Sequence, residues 1–264
     1  YMLIDLKKTK YYYLTTRTNA KRVKHIEGIL KIYDLTEVNP IMGENFGKQR
    51  SGCTGTARMV DLGLRNQKKN EPFQPFILLE DDVSLSETMP DKIEIPDDAD
   101  IIYIGVSCGG LGKHTRQKPG DPLYATDYNE KYIRVYNMLS THAIMICSAA
   151  GANIYAQCML EGFYNPTGWD CYLARIQSYY KVYALKNPLF YQDAEYGGVE
   201  YSTNINFASG NIIYHSKEEN QHPWLPTKYI TPPELYRPLI TSLCFSQHPK
   251  LNLIFRENRI NFEN

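Results

Sequence analysis

The sequence predicts an α/β protein built on an open sheet with helices on its faces, and three observations carry that expectation. Strand-like and helix-like patterns alternate through the first two thirds of the chain, as they do in α/β layer folds. A wholly apolar run, Phe76-Ile77-Leu78-Leu79, stops abruptly in three carboxylates, Glu80-Asp81-Asp82, which reads as a buried central strand met at its carboxyl end. The 264 residues are 43% hydrophobic and 22% charged, enough to bury roughly 70–75% of the unfolded surface around one large core.

The elements follow in order. Residues 11–14, Tyr-Tyr-Tyr-Leu, form a short β-prone run that ends in the basic, hydroxyl-rich turn Thr15-Thr16-Arg17-Thr18-Asn19. Val23, Ile26, Leu30 and Tyr33 then recur at helical spacing and mark one apolar helix face. Residues 38–42 read as a second strand, followed by a glycine-bearing loop around Gly43, Gly47 and Gly52 and a second helix marked by Ala57, Val60 and Leu64. After Pro72 and Pro75 comes the strand that ends in acids. Residues 100–105 repeat the buried-strand pattern, and residues 107–130, rich in Gly, Pro and Asp, form a long loop suited to a lid. Residues 132–139 and 143–147 are further strands, leading into helices near 149–160 and 169–180. From about Phe207 the pattern weakens around Pro223, Pro226, Pro232, Pro233 and Pro238. The expected organisation is one domain over residues 1–206 and an extension, 207–264, packed on it, with a helix near 233–245 among irregular segments.

Composition excludes several classes. Lys+Arg and Asp+Glu both number 29, so no basic field exists to hold a nucleic-acid backbone. No stretch approaches the roughly 20 apolar residues that span a bilayer, and the first residues do not form a secretory signal. The six cysteines (Cys53, Cys108, Cys147, Cys158, Cys171, Cys244) are scattered without a C-x-x-C pair. They read as reduced thiols in a cytoplasmic compartment, the host cytoplasm if the source is a virus.

The chemistry concentrates at Glu80-Asp81-Asp82. Three consecutive carboxylates repel one another, most strongly where the chain before them is buried, so a cation is expected there. Ligands of open α/β sheets bind beyond the carboxyl ends of the strands, where this triplet falls. Mn²⁺ or Mg²⁺ suits hard carboxylate oxygens and leaves positions for water and substrate phosphates, an arrangement that fits a nucleotide-sugar diphosphate. An acidic triplet also ends an ordinary strand at a solvated turn. The P-loop and dinucleotide glycine fingerprints are absent from the sequence.

An ordered series of motifs resembles the glycosyltransferase family 25 group, which includes lipopolysaccharide-type and collagen galactosyltransferase-like enzymes. Leu14-Thr15-Thr16-Arg17-Thr18-Asn19-Ala20-Lys21-Arg22 looks like the opening strand and Arg-bearing turn of that family, and Asn39-Pro40-Ile41-Met42-Gly43 like its second strand. Ser51-Gly52-Cys53-Thr54-Gly55-Thr56 resembles its Gly-Cys segment before a helix, with Gly55-Thr56 where the family carries a Ser-His pair. Leu78-Leu79-Glu80-Asp81-Asp82-Val83 is similar to its metal motif, residues 100–105 to a strand ending in Leu-Gly, and Ser140-Thr141-His142-Ala143-Ile144-Met145-Ile146 to its Thr-His-Ala strand. Tyr191-Gln192 and Ser202 stand in the place of a late Gln and Ser. The resemblance runs from about residue 10 to about 205.

What the resemblance implies is a GT-A-like fold, a Rossmann-type mixed sheet flanked by helices in a single domain with an irregular C-terminal extension. It implies metal-dependent transfer of a sugar, with inversion, from a nucleotide-sugar donor (UDP-linked) to a hydroxyl of a glycan acceptor. Inversion requires a base, and Asp170, following Trp169 at the start of a helix, is the preferred residue, with Asp193 and Glu195 behind it. Asp82, with Glu80 and Asp81, would hold the metal and the ribose side of the donor. Thr15, Thr16, Arg17 and Arg22 would bind the donor. A late His215 would complete the metal shell, and Trp169 and Trp224 would line the acceptor site. His142 reads as a core histidine. The competing expectations are a metal-dependent nucleotide-sugar hydrolase and a non-catalytic carbohydrate-binding protein.

Overall fold

The structure, a computed structural model, describes residues 1–42, 47–86, 88–106, 124–164 and 169–196. In chain order it contains β1 (Met2–Asp5), β2 (Lys10–Leu14), α1 (Ala20–Ile29), β3 (Asp34–Val38), α2 (Lys48–Arg65), β4 (Phe76–Glu80), β5 (Val83–Leu85) and β6 (Lys92–Ile95). There follow β7 (Ile101–Tyr103), β8 (Tyr124–Asp127), β9 (Tyr132–Asn137), β10 (Ala143–Ile146), α3 (Ala149–Tyr164), α4 (Trp169–Ile176), β11 (Val182–Leu185), β12 (Phe190–Gln192) and a 3-10 turn (Ala194–Tyr196).

Among the described residues the main sheet has the order β3-β2-β4-β10-β7-β11-β9-β8. β2 pairs in parallel with β3 and β4, and β11 with β7, while β10 runs antiparallel to both β4 and β7. The carboxyl ends of β3, β2, β4, β7 and β11 therefore share one edge. The register aligns three of them closely, with Leu14 opposite both Val38 and Glu80.

Both faces of the sheet are covered, which is why its central strands read as continuous apolar runs. Side chains alternate across it. Tyr12, Leu78, Ile144 and Tyr103 point into the cluster shared with α2, α3 and α4. Tyr11, Tyr13, Ile77, Leu79, Ile102 and Met145 point into the other, shared with Ile26 and Leu30 at α1 and with Ile4 and Ile95 of the β1–β6 ribbon. The α/β mixed sheet with flanking helices is thus as expected.

Several boundaries differ from the sequence reading. The second strand is Asp34–Val38, not 38–42, because Pro40 has no N–H for a ladder, whereas Asp34-Leu35-Thr36-Glu37 can pair as a half-exposed edge. α2 begins at Lys48 and runs through Gly52 and Gly55, so the Gly-Cys segment lies inside the helix rather than before it. The expected loop 107–130 ends in a strand, β8, paired with β9; residues 107–123, and with them the expected lid, lie outside the described residues. The last helix stops at Ile176. The β1–β6 and β5–β12 ribbons and the buried strand β11 had no expectation at all. The expected extension 207–264, including its helix near 233–245, also lies outside the described residues.

Two close approaches fix helices onto the sheet. A Cβ at Gly63 of α2 would lie 2.4 Å from the Phe76 ring, and one at Gly151 of α3 would lie 2.1 Å from the backbone oxygen of Asp100. The second cannot be relieved by moving a side chain. Gly151→Ala is expected to destabilise the protein by about 2 kcal/mol despite the better helix propensity of alanine. Urea unfolding measures this, and an unchanged or raised midpoint refutes it.

Candidate functional site

The carboxyl ends of β2, β3 and β4 open into a cleft of about 570 Å³. Its wall includes Leu14, Thr15, Thr16, Thr18, Asn19 and Arg22 from the first β-α turn and α1, Pro40 and Met42 after β3, Lys48, Ser51 and Gly52 from α2, and Glu80, Asp81 and Asp82 after β4. Six of the expected site residues (Thr15, Thr16, Arg22, Glu80, Asp81, Asp82) therefore meet in one place. Arg17 and Asp170 are not in that wall, and His215 and Trp224 lie outside the described residues.

Among the described residues, the cation paired with the triplet is Arg22. Asn19 caps α1 by accepting from the Lys21 and Arg22 amides, and Arg22 sits in the first turn of the helix. Its Nη1 donates to Asp81 Oδ1 at 2.9 Å, and its Nη2 stands 3.6 Å from Asp82 Oδ2, beyond hydrogen-bond range. Asp82 Oδ1 is enclosed with no hydrogen-bond partner. One guanidinium thus stands against two of the three carboxyls and hydrogen-bonds one of them.

The other two bind protons more tightly than free carboxyls do. Thr141 Oγ1 donates to Glu80 Oε1 at 3.2 Å and Gln192 Nε2 to Oε2 at 3.3 Å. Burial first, and then the charge of Asp82, push the Glu80 carboxyl up to about 8. Burial likewise pushes Asp82 up to about 6, against the pull of Arg22. Among the described residues no three His, Cys, Asp or Glu side chains form a ready metal-ligand set. A divalent cation here would be held by Asp82, whose free oxygen is a hard donor, with Glu80 or Asp81 and with water and phosphate in its other positions. That is an ordinary arrangement for Mg²⁺.

The first β-α turn is built for a ligand to approach. Thr15 is buried and accepts from the Arg17 amide at 3.1 Å; Thr16 and Thr18 are exposed and share a hydrogen bond at 2.8 Å. Arg17 has left-handed backbone, φ 56°, and its guanidinium pairs with Glu37 of β3. That pairing engages the side chain that had been expected to bind the donor.

Asp170 lies in the first turn of α4. Its carboxyl accepts from the Ser140 amide at 3.3 Å and the Cys171 amide at 3.0 Å. Burial raises it above the usual carboxylate range, the amide hydrogen bonds opposing this, and its charge in turn raises Glu80. It therefore belongs to the same sheet edge. Ser140 is left-handed, φ 80°, and its hydroxyl also contacts His142 Nδ1 at 2.6 Å. His142 is fully buried, and burial pushes it down to about 3, which makes it the neutral core histidine expected.

Asp193 and Glu195 are engaged elsewhere. Ser84 Oγ donates to Asp193 Oδ2 at 2.7 Å and lies 2.7 Å from His25 Nε2, while Glu195 pairs with Lys21 at 2.8 Å. In the hydrolase arrangement the histidine stands between serine and carboxylate. Here the serine is in the middle, so the chain docks α1 onto β5 rather than activating a nucleophile. Gly55 and Thr56 are packing positions: a Cβ at Gly55 would lie 2.1 Å from Leu14 Cδ1 and 3.3 Å from Pro40 Cα, and Thr56 Oγ1 donates to Gly52 O at 3.0 Å.

Sequence reasoning missed Lys48 and Ser51. The signal was present, a serine one turn inside a helix, but the glycines around it were read as a loop. Cys53, Cys147, Cys158 and Cys171 are buried free thiols, and among the described residues no helix is long and apolar enough to cross a membrane. No protein-family model and no curated protein matches this chain.

The raised carboxyls carry a pH signature. Both bind protons more tightly folded than unfolded, so the stability they contribute is complete below about pH 4. It is lost as pH rises through about 6 for Asp82 and about 8 for Glu80. Glu80→Gln, which mimics the protonated state, is expected to flatten the fall in thermal midpoint between pH 5 and pH 8 (roughly the window in which these two groups titrate). Parallel slopes in wild type and variant refute it.

Proposed function

We propose that this chain is a metal-dependent inverting glycosyltransferase that moves a sugar from a nucleotide-sugar, UDP-linked, to a hydroxyl of a glycan or glycoconjugate. The observation that carries the proposal is the convergence of the acidic triplet, Arg22 and the threonine turn on one cleft at the carboxyl ends of three parallel strands, where α/β sheets take nucleotides. The motif resemblance from about residue 10 to about 205 supports the same reading.

In this reading Asp82, with Glu80 or Asp81, holds Mn²⁺ or Mg²⁺, which when bound offsets the negative charge that develops on the departing diphosphate. Thr15, Thr16 and Thr18 offer hydroxyls to the nucleoside and ribose, and Arg22 holds the carboxylates apart from one another. The acceptor oxygen bonds to the anomeric carbon as the bond from that carbon to the phosphate oxygen breaks. The acceptor proton passes to Asp170, whose two amide hydrogen bonds fix its direction and whose raised affinity for protons suits a base.

Incubation with a panel of nucleotide-sugars and glycan acceptors, with Mn²⁺ or with chelator, tests this. Transfer is expected only with the metal. Asp82→Ala is expected to abolish it, and Asp170→Asn to lower kcat by about 10²–10⁴-fold with donor affinity retained. Release of free sugar without transfer identifies a hydrolase, donor binding without turnover a binding protein, and turnover indifferent to Asp82 removes the proposal.

A further inference from the structure

The amino end of α2 forms part of the cleft wall through Lys48, Ser51 and Gly52. The helix is 18 residues long, its cap residue Gly47 contributes no side-chain hydrogen bond, and its first turn holds no acidic residue. Amides of a first turn have no partner within their own helix, and the dipole adds positive potential there. These features alone would describe many helices.

Ser51 sets this one apart. The residue is 2% exposed and its hydroxyl is enclosed without a hydrogen-bond partner. Its neighbours on the same helix are satisfied. Thr54 Oγ1 donates to Ser51 O and accepts from the Ile41 amide, both at 2.8 Å, and Thr56 Oγ1 donates to Gly52 O. Serine hydroxyls in a first helical turn commonly find a backbone carbonyl. Among the described residues this one has no acceptor. Arg22 Nε, across the same cleft, is also enclosed without a partner. Lys48, Ser51, Arg22 and the first-turn amides are all donors at this end of the cleft, and two of them, Ser51 Oγ and Arg22 Nε, have no acceptor.

We infer that the amino end of α2, with Ser51 and Lys48, is a phosphate subsite of the cleft. The inference rests on the transferase reading in one respect, that the phosphate belongs to the donor's diphosphate, whose other phosphate shares the cation at Asp82. Helix amino ends with a hydroxyl and a lysine are a recurrent seat for such groups. The diphosphate then spans the cleft from the carboxylates to the helix, and the helix holds it when the cation is absent.

Calorimetric titration of the full chain with UDP, inorganic pyrophosphate, orthophosphate and uridine, each with Mn²⁺ and with chelator, tests the subsite in wild type, Ser51→Ala and Lys48→Gln. Pyrophosphate and UDP are expected to bind in chelator as well as in Mn²⁺. Each variant should weaken both by about tenfold and leave uridine unchanged. Orthophosphate binding as tightly as pyrophosphate would assign the subsite to a single phosphate and overturn its link to the donor. Ser51→Ala removes an unsatisfied hydroxyl, so its thermal midpoint without ligand should equal or exceed that of wild type; a lowered midpoint with unchanged pyrophosphate affinity overturns the inference. Wild-type pyrophosphate affinity in both variants, or no pyrophosphate binding to wild type, overturns it too. Phosphate binding lost in the variants while no nucleotide-sugar is turned over keeps the subsite and removes the transferase reading. Transfer with unaltered diphosphate affinity in both variants does the reverse.

Discussion

Too much negative charge at the end of one buried strand governs this sheet edge. Two like charges about 4 Å apart cost about 4 kcal/mol at the effective dielectric near a protein surface, and more as water is excluded. β4 delivers three carboxyls in succession, and the one guanidinium set against them hydrogen-bonds only Asp81. A single cation cannot offset three anions. The chain resolves the surplus by letting Glu80 keep its proton under Thr141 and Gln192 and by leaving one oxygen of Asp82 unpaired. The site is consequently under-compensated, and that deficit is what a bound cation would relieve.

The frame that makes this possible is the register of three parallel strands. Because Val38, Leu14 and Glu80 lie side by side, the turns that follow them open at one level and can share a cleft. Each helix is then pinned near it. Gly55 lets α2 approach within contact of Leu14 and Pro40. The tie from His25 through Ser84 to Asp193 docks α1, and the Asp193 amide donates to the Asp82 backbone oxygen at 2.8 Å. Arg22 and His25, three residues apart, share a helix face. The docking that seats His25 therefore also aims Arg22 at the triplet.

Much of this was legible in the sequence, and what was not has physical causes. β4 announced itself because a strand covered on both faces is apolar throughout, and the acids marked its end. β3 is an edge strand and half exposed, so its polar residues concealed it while the apolar residues beside Pro40 drew the eye. α2 was shortened by its glycines, which are there for close packing against Leu14 and Phe76 rather than for turns; Ser51 was lost with them. The β1–β6 ribbon depends on pairing across some ninety residues of chain, a contact no local pattern can show. Arg17 carries the charge expected of a donor ligand, and only the fold reveals that Glu37 has already taken it.

The cleft carries two complementary deficits, and their combination narrows what can fill it. Asp82 Oδ1 is an acceptor without a donor, Ser51 Oγ and Arg22 Nε are donors without acceptors, and Lys48 adds a cation on their side. A free metal ion would answer the first and leave the second untouched. An isolated phosphate would do the opposite, and would meet repulsion from the triplet. A neutral sugar could satisfy hydroxyls but would relieve neither charge imbalance. A diphosphate carrying a divalent cation presents the positive charge and the anionic oxygens in one body, with a separation set by its own covalent geometry. A buried polar group left unpaired costs about 1–3 kcal/mol, and a group that pairs Ser51 Oγ, Arg22 Nε and Asp82 Oδ1 together would recover that cost at three atoms. Of the occupants compared, a metal-bound diphosphate is the one that would answer both sides of the cleft, which is what the proposed function asks of it.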